Sequence, residues 1–125
     1  MPLCVHGHFY QPPREDPISN NIPDERGAEP FHNWNEKILA ECYEPNARMG
    51  NFGKISFNIG PTLFDWMWNY APDVAERIVE LERANFLKFG VGNGLAQGYN
   101  HSILPLLPYR DKVTNVRWGV EDFVY

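Results

Sequence analysis

The sequence Leu3-Cys4-Val5-His6-Gly7-His8-Phe9-Tyr10-Gln11-Pro12-Pro13 is the one around which the predicted fold is arranged. Its first three residues are apolar and predict a buried strand that runs into two histidines. Because alternate residues of a strand share a face, His6 and His8 are expected to point the same way, while Gly7 allows a close approach from the other side. Pro12 and Pro13 cannot donate to a sheet and end the strand, which leaves Gln11 in an extended turn just beyond it.

The His-x-His pair predicts a functional site. A single histidine near a strand end is usually a hydrogen-bonded structural group, but two imidazoles on one face, followed by an amide side chain and two prolines, favour a site. Two chemistries fit the pair. One is a metal site, and the other is a metal-free pocket that binds hydroxyl groups.

Composition places the chain among small globular proteins. Its 125 residues suffice for one domain, 1–125, and 43% hydrophobic with 22% charged residues excludes disorder. The net charge of −5, without a basic run, makes nucleic acid and anionic membranes poor partners. No stretch reaches the length of a membrane span and the N-terminus lacks the features of a signal peptide, so we expect a cytoplasmic protein. Cys4 and Cys42 stand in apolar surroundings, which favours two reduced, buried thiols over a disulfide.

Strand and helix patterns alternate along the rest of the chain. A polar loop covers 14–29, and Asn33 with Glu36 has the spacing of a capping box for a helix that ends before Pro45. The following elements are a strand over 54–59, helices that begin at Pro61 and Pro72, a short strand over 95–97, and a last helix that Asp111 caps. Glu82 is one of the charged residues expected to face water on the helix after Pro72. Gly92-x-Gly94 lacks the residues of a phosphate-binding loop, so we discount that interpretation.

This order of elements predicts an α/β fold with parallel strands and right-handed crossover helices. The carboxyl ends of parallel strands meet at one edge of the sheet, so side chains that follow different strands can form a single site. The residues expected there are His6, His8, Gln11, Gln97, Asn100 and His101. Three strands leave a sheet edge open, and the apolar side of the last helix, Val113, Val116, Val120 and Phe123, is expected to be exposed.

Four blocks of the sequence resemble the N-terminal part of glycoside hydrolase family 57. They are His6-Gly7-His8-Phe9-Tyr10-Gln11-Pro12-Pro13, Ile55-Ser56-Phe57-Asn58-Ile59-Gly60-Pro61, Leu95-Ala96-Gln97-Gly98-Tyr99-Asn100-His101-Ser102-Ile103-Leu104-Pro105-Leu106 and Arg117-Trp118-Gly119-Val120-Glu121-Asp122-Phe123. The resemblance spans essentially the whole chain. It implies the N-terminal portion of an incomplete (β/α)7 barrel and activity on α-glucans, as in amylases, 4-α-glucanotransferases and branching enzymes. The family uses a retaining mechanism with a glutamate nucleophile and an aspartate acid/base.

The resemblance also assigns roles to residues. His8 with Gln11-Pro12 matches the family's His-Gln-Pro motif, with Phe9-Tyr10 inserted, and His6 matches a histidine often found two positions earlier. Gln97 stands where the second motif commonly has glutamate, and His101 resembles the histidine of a Thr-His-x-x-Leu-Pro run. These groups would bind sugar hydroxyls around the scissile bond, without a metal or another cofactor.

Both catalytic carboxylates of the family lie beyond Tyr125 in this comparison. Asp111, Glu121 and Asp122 are expected to be surface or capping charges on a helix, away from the strand ends. The chain alone is therefore expected to be inactive, with the missing C-terminal part of the enzyme as a partner. Two alternatives stay open. One is a fragment of a metal-dependent deacetylase or amidohydrolase with His6, His8 and His101 as ligands, and the other is a non-catalytic carbohydrate-binding piece that uses exposed aromatic residues such as Trp66.

Overall fold

Two short parallel strands lie at the centre of the fold, in a computed structural model that describes residues 3–124. Strand β1 (His6–Phe9) pairs in parallel with β2 (Ser56–Ile59), so that His8 stands opposite Asn58. The long crossover between them contains helices, as an α/β order requires. This small parallel sheet is consistent with the predicted fold class, and the barrel stays a prediction.

The third strand, expected over 95–97, is reduced to a single parallel bridge between Phe57 and Gly94. Phe57 donates its N–H to the carbonyl of Asn93 at 2.9 Å, and Leu95 donates to the carbonyl of Phe57 at 2.7 Å. Beyond this point the backbone leaves β2 and turns towards the last helix, where the carbonyl of Gln97 lies against Gly119. The segment therefore extends the sheet on the other side of β2 but contributes no strand of its own.

The strand also begins later than predicted. Leu3, Cys4 and Val5 lie before β1 and are exposed, so the expected buried strand over these residues is wrong. Their position next to an edge strand explains the exposure, because no described residue covers that edge. Both thiols are free, but Cys4 is exposed and Cys42 is half-buried.

The first helical segment runs through the proline that was expected to end it. Helix α1 (Trp34–Ile38) continues as a π-helical turn (Leu39–Tyr43) and then as α2 (Glu44–Arg48). In the π turn the N–H of Glu44 bonds the carbonyl of Leu39, and Pro45 falls in the first turn of α2, where a missing N–H is tolerated. The predicted cap is present, since the Asn33 side chain accepts a hydrogen bond from the backbone of Glu36 at 3.0 Å.

Helices α3 (Pro61–Tyr70) and α4 (Pro72–Phe89) begin at the predicted prolines and cover the sheet. The largest fully buried apolar side chains come from the helices and from the short 3-10 turn Asn51–Gly53; they are Tyr43, Phe52, Leu63, Met67 and Ile78. Burial raises the pKa of Tyr43, in keeping with a place in the core. Trp66 also belongs to this core at 3% exposure, so it is not the exposed aromatic residue that a binding surface was expected to use.

The last helix, α5 (Tyr109–Val124), follows a 3-10 turn at Leu104–Leu106. It begins at Tyr109, and Asp111 lies in its first turn with its own N–H bonded to the carbonyl of Pro108 at 3.0 Å, so Asp111 is not the cap. The four apolar residues expected to be exposed on this helix are so: Val113, Val116, Val120 and Phe123. Among residues 3–124, no helix combines the length and the apolar character needed to cross a membrane.

Candidate functional site

A line of four hydrogen-bonded side chains crosses the carboxyl end of the sheet. The Nε2 atoms of His101 and His8 are 2.9 Å apart, and His8 Nδ1 lies 2.9 Å from Asn58 Oδ1. Asn58 Nδ2 donates to Gln97 Oε1 at 2.6 Å. We call His101, His8, Asn58 and Gln97 the histidine–amide line.

The parallel register builds this line. His8 and Asn58 are opposite each other on β1 and β2, which brings their side chains to the same face. Gln97 reaches Asn58 from the segment that continues the sheet, and His101 returns to His8 after the turn that follows. Residues separated by more than ninety positions in the sequence thus touch at one strand edge.

The line has one buried end and one exposed end. Gln97 Nε2 is shielded from solvent and has no hydrogen-bond partner among the described residues, which is rare for a buried amide. At the other end His101 is exposed, and its Nδ1 atom makes no hydrogen bond within residues 3–124. A ligand can therefore reach the line through His101.

Hydrogen bonds in the line can run in either direction. When His101 donates from Nε2 to His8, His8 donates from Nδ1 to Asn58 Oδ1, and Asn58 donates to Gln97. Reversal requires the two histidine tautomers and the two amides to change together. The exposed Nδ1 of His101 is an acceptor in the first arrangement and a donor in the second, so the line can match a group that both donates and accepts.

Close packing fixes the exposed end. The ring of Tyr10 lies on His101, with centroids 4.7 Å apart, and also crosses the backbone of Gly60. A Cβ atom at Gly60 would come within 2.5 Å of the Tyr10 ring and 3.1 Å of Gln97 Nε2. The φ of Gly60 is −65°, which any residue can adopt. Glycine is needed at this position because a side chain would clash with Tyr10 and Gln97.

The other three predicted site residues lie near the line but outside it. His6 bonds the hydroxyl of Ser56 at 3.0 Å, two residue pairs before His8 along the strands. Gln11 accepts a hydrogen bond from Arg14 at 2.9 Å through its side chain and from Thr62 at 2.7 Å through its carbonyl. Asn100 is exposed, and its backbone is held by α5.

Two residues of the site were not singled out from the sequence. Asn58 joins the sheet end to the histidines, and its position as a polar residue inside an alternating strand was a usable signal. Asn115 is 4% exposed, and its side chain both accepts from the N–H and donates to the carbonyl of Asn100, each at 3.1 Å. No sequence pattern indicates this contact, because it depends on how α5 packs.

The glycine-rich turn at residues 90–94 is stabilised by a carboxylate of α4. Glu82 was expected to face water, but its Oε2 atom accepts hydrogen bonds from the backbones of Asn93 and Gly94, each at 2.9 Å. A Cβ atom at Gly92 would lie 1.7 Å from the Glu82 carboxylate. The N–H groups of Asn93 and Gly94 are thus already paired with a carboxylate, which agrees with discounting the turn as a phosphate site.

The three carboxylates considered as catalytic substitutes differ in their surroundings. Asp111 pairs with Arg110 at 3.3 Å and Glu121 pairs with Arg117 at 2.9 Å, both at the surface. Asp122 instead lines a groove of about 1010 Å³ together with Asp65. Partial burial raises the pKa of Asp122, and the nearby carboxylate of Asp65 raises it further.

The histidines do not form a metal-binding cluster. Within residues 3–124, no group of three or more His, Cys, Asp or Glu side chains is arranged to hold a metal ion. The Nε2 atoms of His8 and His101 face each other at hydrogen-bonding distance, and His6 is bonded to Ser56.

Comparison with known proteins gives no relative: no family model, no curated protein and no solved structure matches this chain. The geometry of the chain's own residues is therefore the basis for assigning a function.

Proposed function

We propose that this chain is the N-terminal part of a catalytic domain like those of glycoside hydrolase family 57, an enzyme of α-glucan metabolism. In this proposal the chain forms a wall of the saccharide-binding site, with His6, His8, Gln11, Gln97, Asn100 and His101 as its residues. The observation that carries the proposal is the histidine–amide line and its exposed end at His101.

Sugar hydroxyls suit this line because each can donate one hydrogen bond and accept others. The exposed Nδ1 of His101 offers an acceptor or a donor according to the tautomer, without a change of charge. Tyr10 places an aromatic ring beside the imidazole, 4.7 Å between centroids, and aromatic rings are common in pockets that bind ring-shaped ligands. An α-glucan residue could thus be bound without a metal.

The chain is proposed to bind without catalysing. Retaining glycosidases need two carboxyl groups about 5–5.5 Å apart across the bond they cleave. The histidine–amide line contains only imidazoles and amides, and Asp65 and Asp122 line a groove along α3 and α5. The nucleophile and the acid/base are therefore proposed to come from the remaining, C-terminal part of the enzyme.

Exposed apolar surface supports such a partner. Val113, Val116, Val120 and Phe123 of α5 are each about half exposed, and Leu3 and Val5 are exposed beside the free edge of β1. Apolar faces and free strand edges of this kind are usually covered by further protein. We propose a cytoplasmic location, because both described thiols are free.

Calorimetric titration with maltohexaose tests the proposal. The chain should bind the saccharide and release no reducing ends from it. His8→Ala and His101→Ala should weaken binding at least tenfold, because each removes a member of the line, a loss of about 1.4 kcal/mol or more.

His32→Ala is the matched control, since His32 is exposed and pairs with Asp24 at 3.2 Å, outside the line. Absence of maltohexaose binding, or equal binding by all three variants, would contradict the proposal. Zinc in stoichiometric amount, lost together with His8, would favour the metal-dependent alternative.

A further inference from the structure

A second cavity, of about 630 Å³, lies between the loop that follows β1 and one face of α3. Its polar lining includes Glu15, Asp65, Asn69, Tyr70, Tyr99 and Asn100. This volume lies within the range of pockets that bind small organic ligands. None of the six belongs to the histidine–amide line, although Asn100 is the neighbour of His101 in the chain.

One wall is a rigid aromatic platform. The ring of Tyr70 stacks on Trp66, with centroids 5.1 Å apart and planes 16° from parallel. Trp66 is buried at 3% exposure, whereas Tyr70 is 63% exposed. The buried indole fixes the orientation of a tyrosine ring that still has surface available to a ligand.

The polar groups beside this platform have free hydrogen-bonding capacity. Asn69 donates its amide N–H to the carbonyl of Asp65 at 2.9 Å, which leaves its Oδ1 as an acceptor. The carboxylate of Asp65 makes no hydrogen bond or ion pair among the described residues. The pKa of Tyr99 is raised by partial burial and then by the carboxylates of Asp65 and Asp122, so its hydroxyl stays protonated and can donate at neutral pH.

The cavity adjoins the proposed saccharide wall at two places. Thr62, which lines the cavity, donates its hydroxyl to the carbonyl of Gln11 at 2.7 Å. On the other side, the buried side chain of Asn115 fixes the backbone of Asn100, one residue before His101. A ligand bound at His101 is therefore next to a second, preformed cavity.

We infer that this cavity is a second subsite for a neutral sugar ring of the same α-glucan chain, with Tyr70 against the ring's apolar face and Asp65, Asn69 and Tyr99 hydrogen-bonded to its hydroxyls. The inference rests on the proposed function and extends it, because it makes binding depend on the length of the saccharide. A short saccharide occupies one of the two subsites, and a longer one occupies both.

Titration of the chain with maltose and with maltohexaose tests the inference. Tyr70→Ala and Asn69→Ala should weaken maltohexaose binding about tenfold and maltose binding less than twofold, since both residues lie away from His101. Both side chains are exposed, so the variants should fold, which circular dichroism verifies. Tyr109→Ala, which removes a tyrosine that is 82% exposed at the start of α5, is the control and should bind like the unchanged chain.

Each other result has a distinct meaning. If Tyr70→Ala and Asn69→Ala bind maltohexaose normally while His101→Ala does not, the second subsite is wrong and the proposed function stands. If they lose binding while His8→Ala and His101→Ala keep it, the cavity binds saccharide and the histidine–amide line does not. If the unchanged chain binds neither saccharide, or if calcium instead of saccharide shifts the Asn69 amide resonance, the inference is overturned.

Discussion

Two parts of this molecule, residues 3–92 and residues 93–124, are stabilised by different interactions. All of the large, fully buried apolar side chains lie between Tyr43 and Ile78, in the helices and the turn that pack on β1 and β2. In the segment from Asn93 to Val124 the only buried residues are Asn115 and Gly119. Residues 3–92 therefore contain the hydrophobic core, and residues 93–124 are attached to it by hydrogen bonds and backbone contact.

Polar side chains make the attachment. Asn93 donates to the carbonyls of Phe52 and Ile55 and accepts from Asn85 at 2.8 Å, while Glu82 binds the turn beside it. The histidine–amide line joins the two parts, because His8 and Asn58 belong to residues 3–92 and Gln97 and His101 to residues 93–124. The shape of the site therefore depends on contacts that contribute little hydrophobic stability.

The largest effect is expected in the core. Phe52→Ala removes a fully buried ring and should lower the free energy of unfolding by about 3–5 kcal/mol in urea denaturation. The matched variant Phe123→Ala removes a ring of α5 that is 53% exposed, and it should change the free energy of unfolding by no more than about 0.5 kcal/mol. Similar losses of stability for the two variants would show that α5 shares the core and would contradict the difference between the two parts.

A smaller effect is expected where α5 meets the strand edge. In a helix, glycine to alanine ordinarily stabilises by about 1 kcal/mol, but a Cβ atom at Gly119 would lie 1.9 Å from the carbonyl oxygen of Gln97. Gly119→Ala should instead destabilise by about 1–3 kcal/mol, with faster hydrogen exchange throughout α5, because backbone must move. A stabilised Gly119→Ala protein would mean that this contact is absent.

The hydrogen bonds of Asn115 should contribute less to the free energy of unfolding. Asn115→Ala removes both bonds to the backbone of Asn100, and because that residue is exposed, water can replace them, so we expect a loss of about 1 kcal/mol. The imidazole resonances of His101 should broaden or shift at the same time, since its chain neighbour is released. Thr114→Ala is the control, because the Thr114 hydroxyl bonds only the carbonyl of Arg110 in its own helix. A His101 spectrum unchanged by Asn115→Ala would contradict the role of Asn115 in positioning His101.

The smallest change in the free energy of unfolding is expected for Asp122, and its direction follows from the raised pKa of the carboxyl group. Its pKa is raised in the folded protein, so folding favours the protonated form and this residue makes the protein less stable as pH rises through the acid range. Asp122→Asn should therefore stabilise the protein at pH 7 by a few tenths of a kcal/mol after solvent screening, and by nothing below about pH 3, where both states are protonated. Glu121→Gln, beside it but ion-paired with Arg117, should show no such gain; a destabilised Asp122→Asn protein at pH 7 would refute the assignment.

Local chemistry made several features of residues 3–92 predictable. The cap at Asn33, the helix starts at Pro61 and Pro72, and the shared face of His6 and His8 all follow from single residues or from strand alternation. Parallel pairing then brings the ends of distant strands together, which is how the sequence alone could place His8, Gln97 and His101 at one edge.

Contacts between distant segments were less predictable, in both parts of the chain. Leu95 to Gln97 has the apolar character of a strand, yet the packing of Gly119 on Gln97 draws its backbone away from β2. Glu82 looks like a surface charge in a helical pattern, and only the fold shows the turn that it binds. The exposure of Leu3 and Val5 likewise depends on which sheet edge is covered, a property that no local pattern contains.

The most direct test of the histidine–amide line is a nitrogen-15 spectrum of the histidine side chains, recorded with and without maltohexaose. We expect coupled shifts of His8 and His101, because a hydroxyl at His101 Nδ1 fixes the direction of hydrogen bonding along the line, and an unchanged signal from His32. Signals of His8 and His101 that do not respond to the saccharide, or that move no more than the signal of His32, would contradict it.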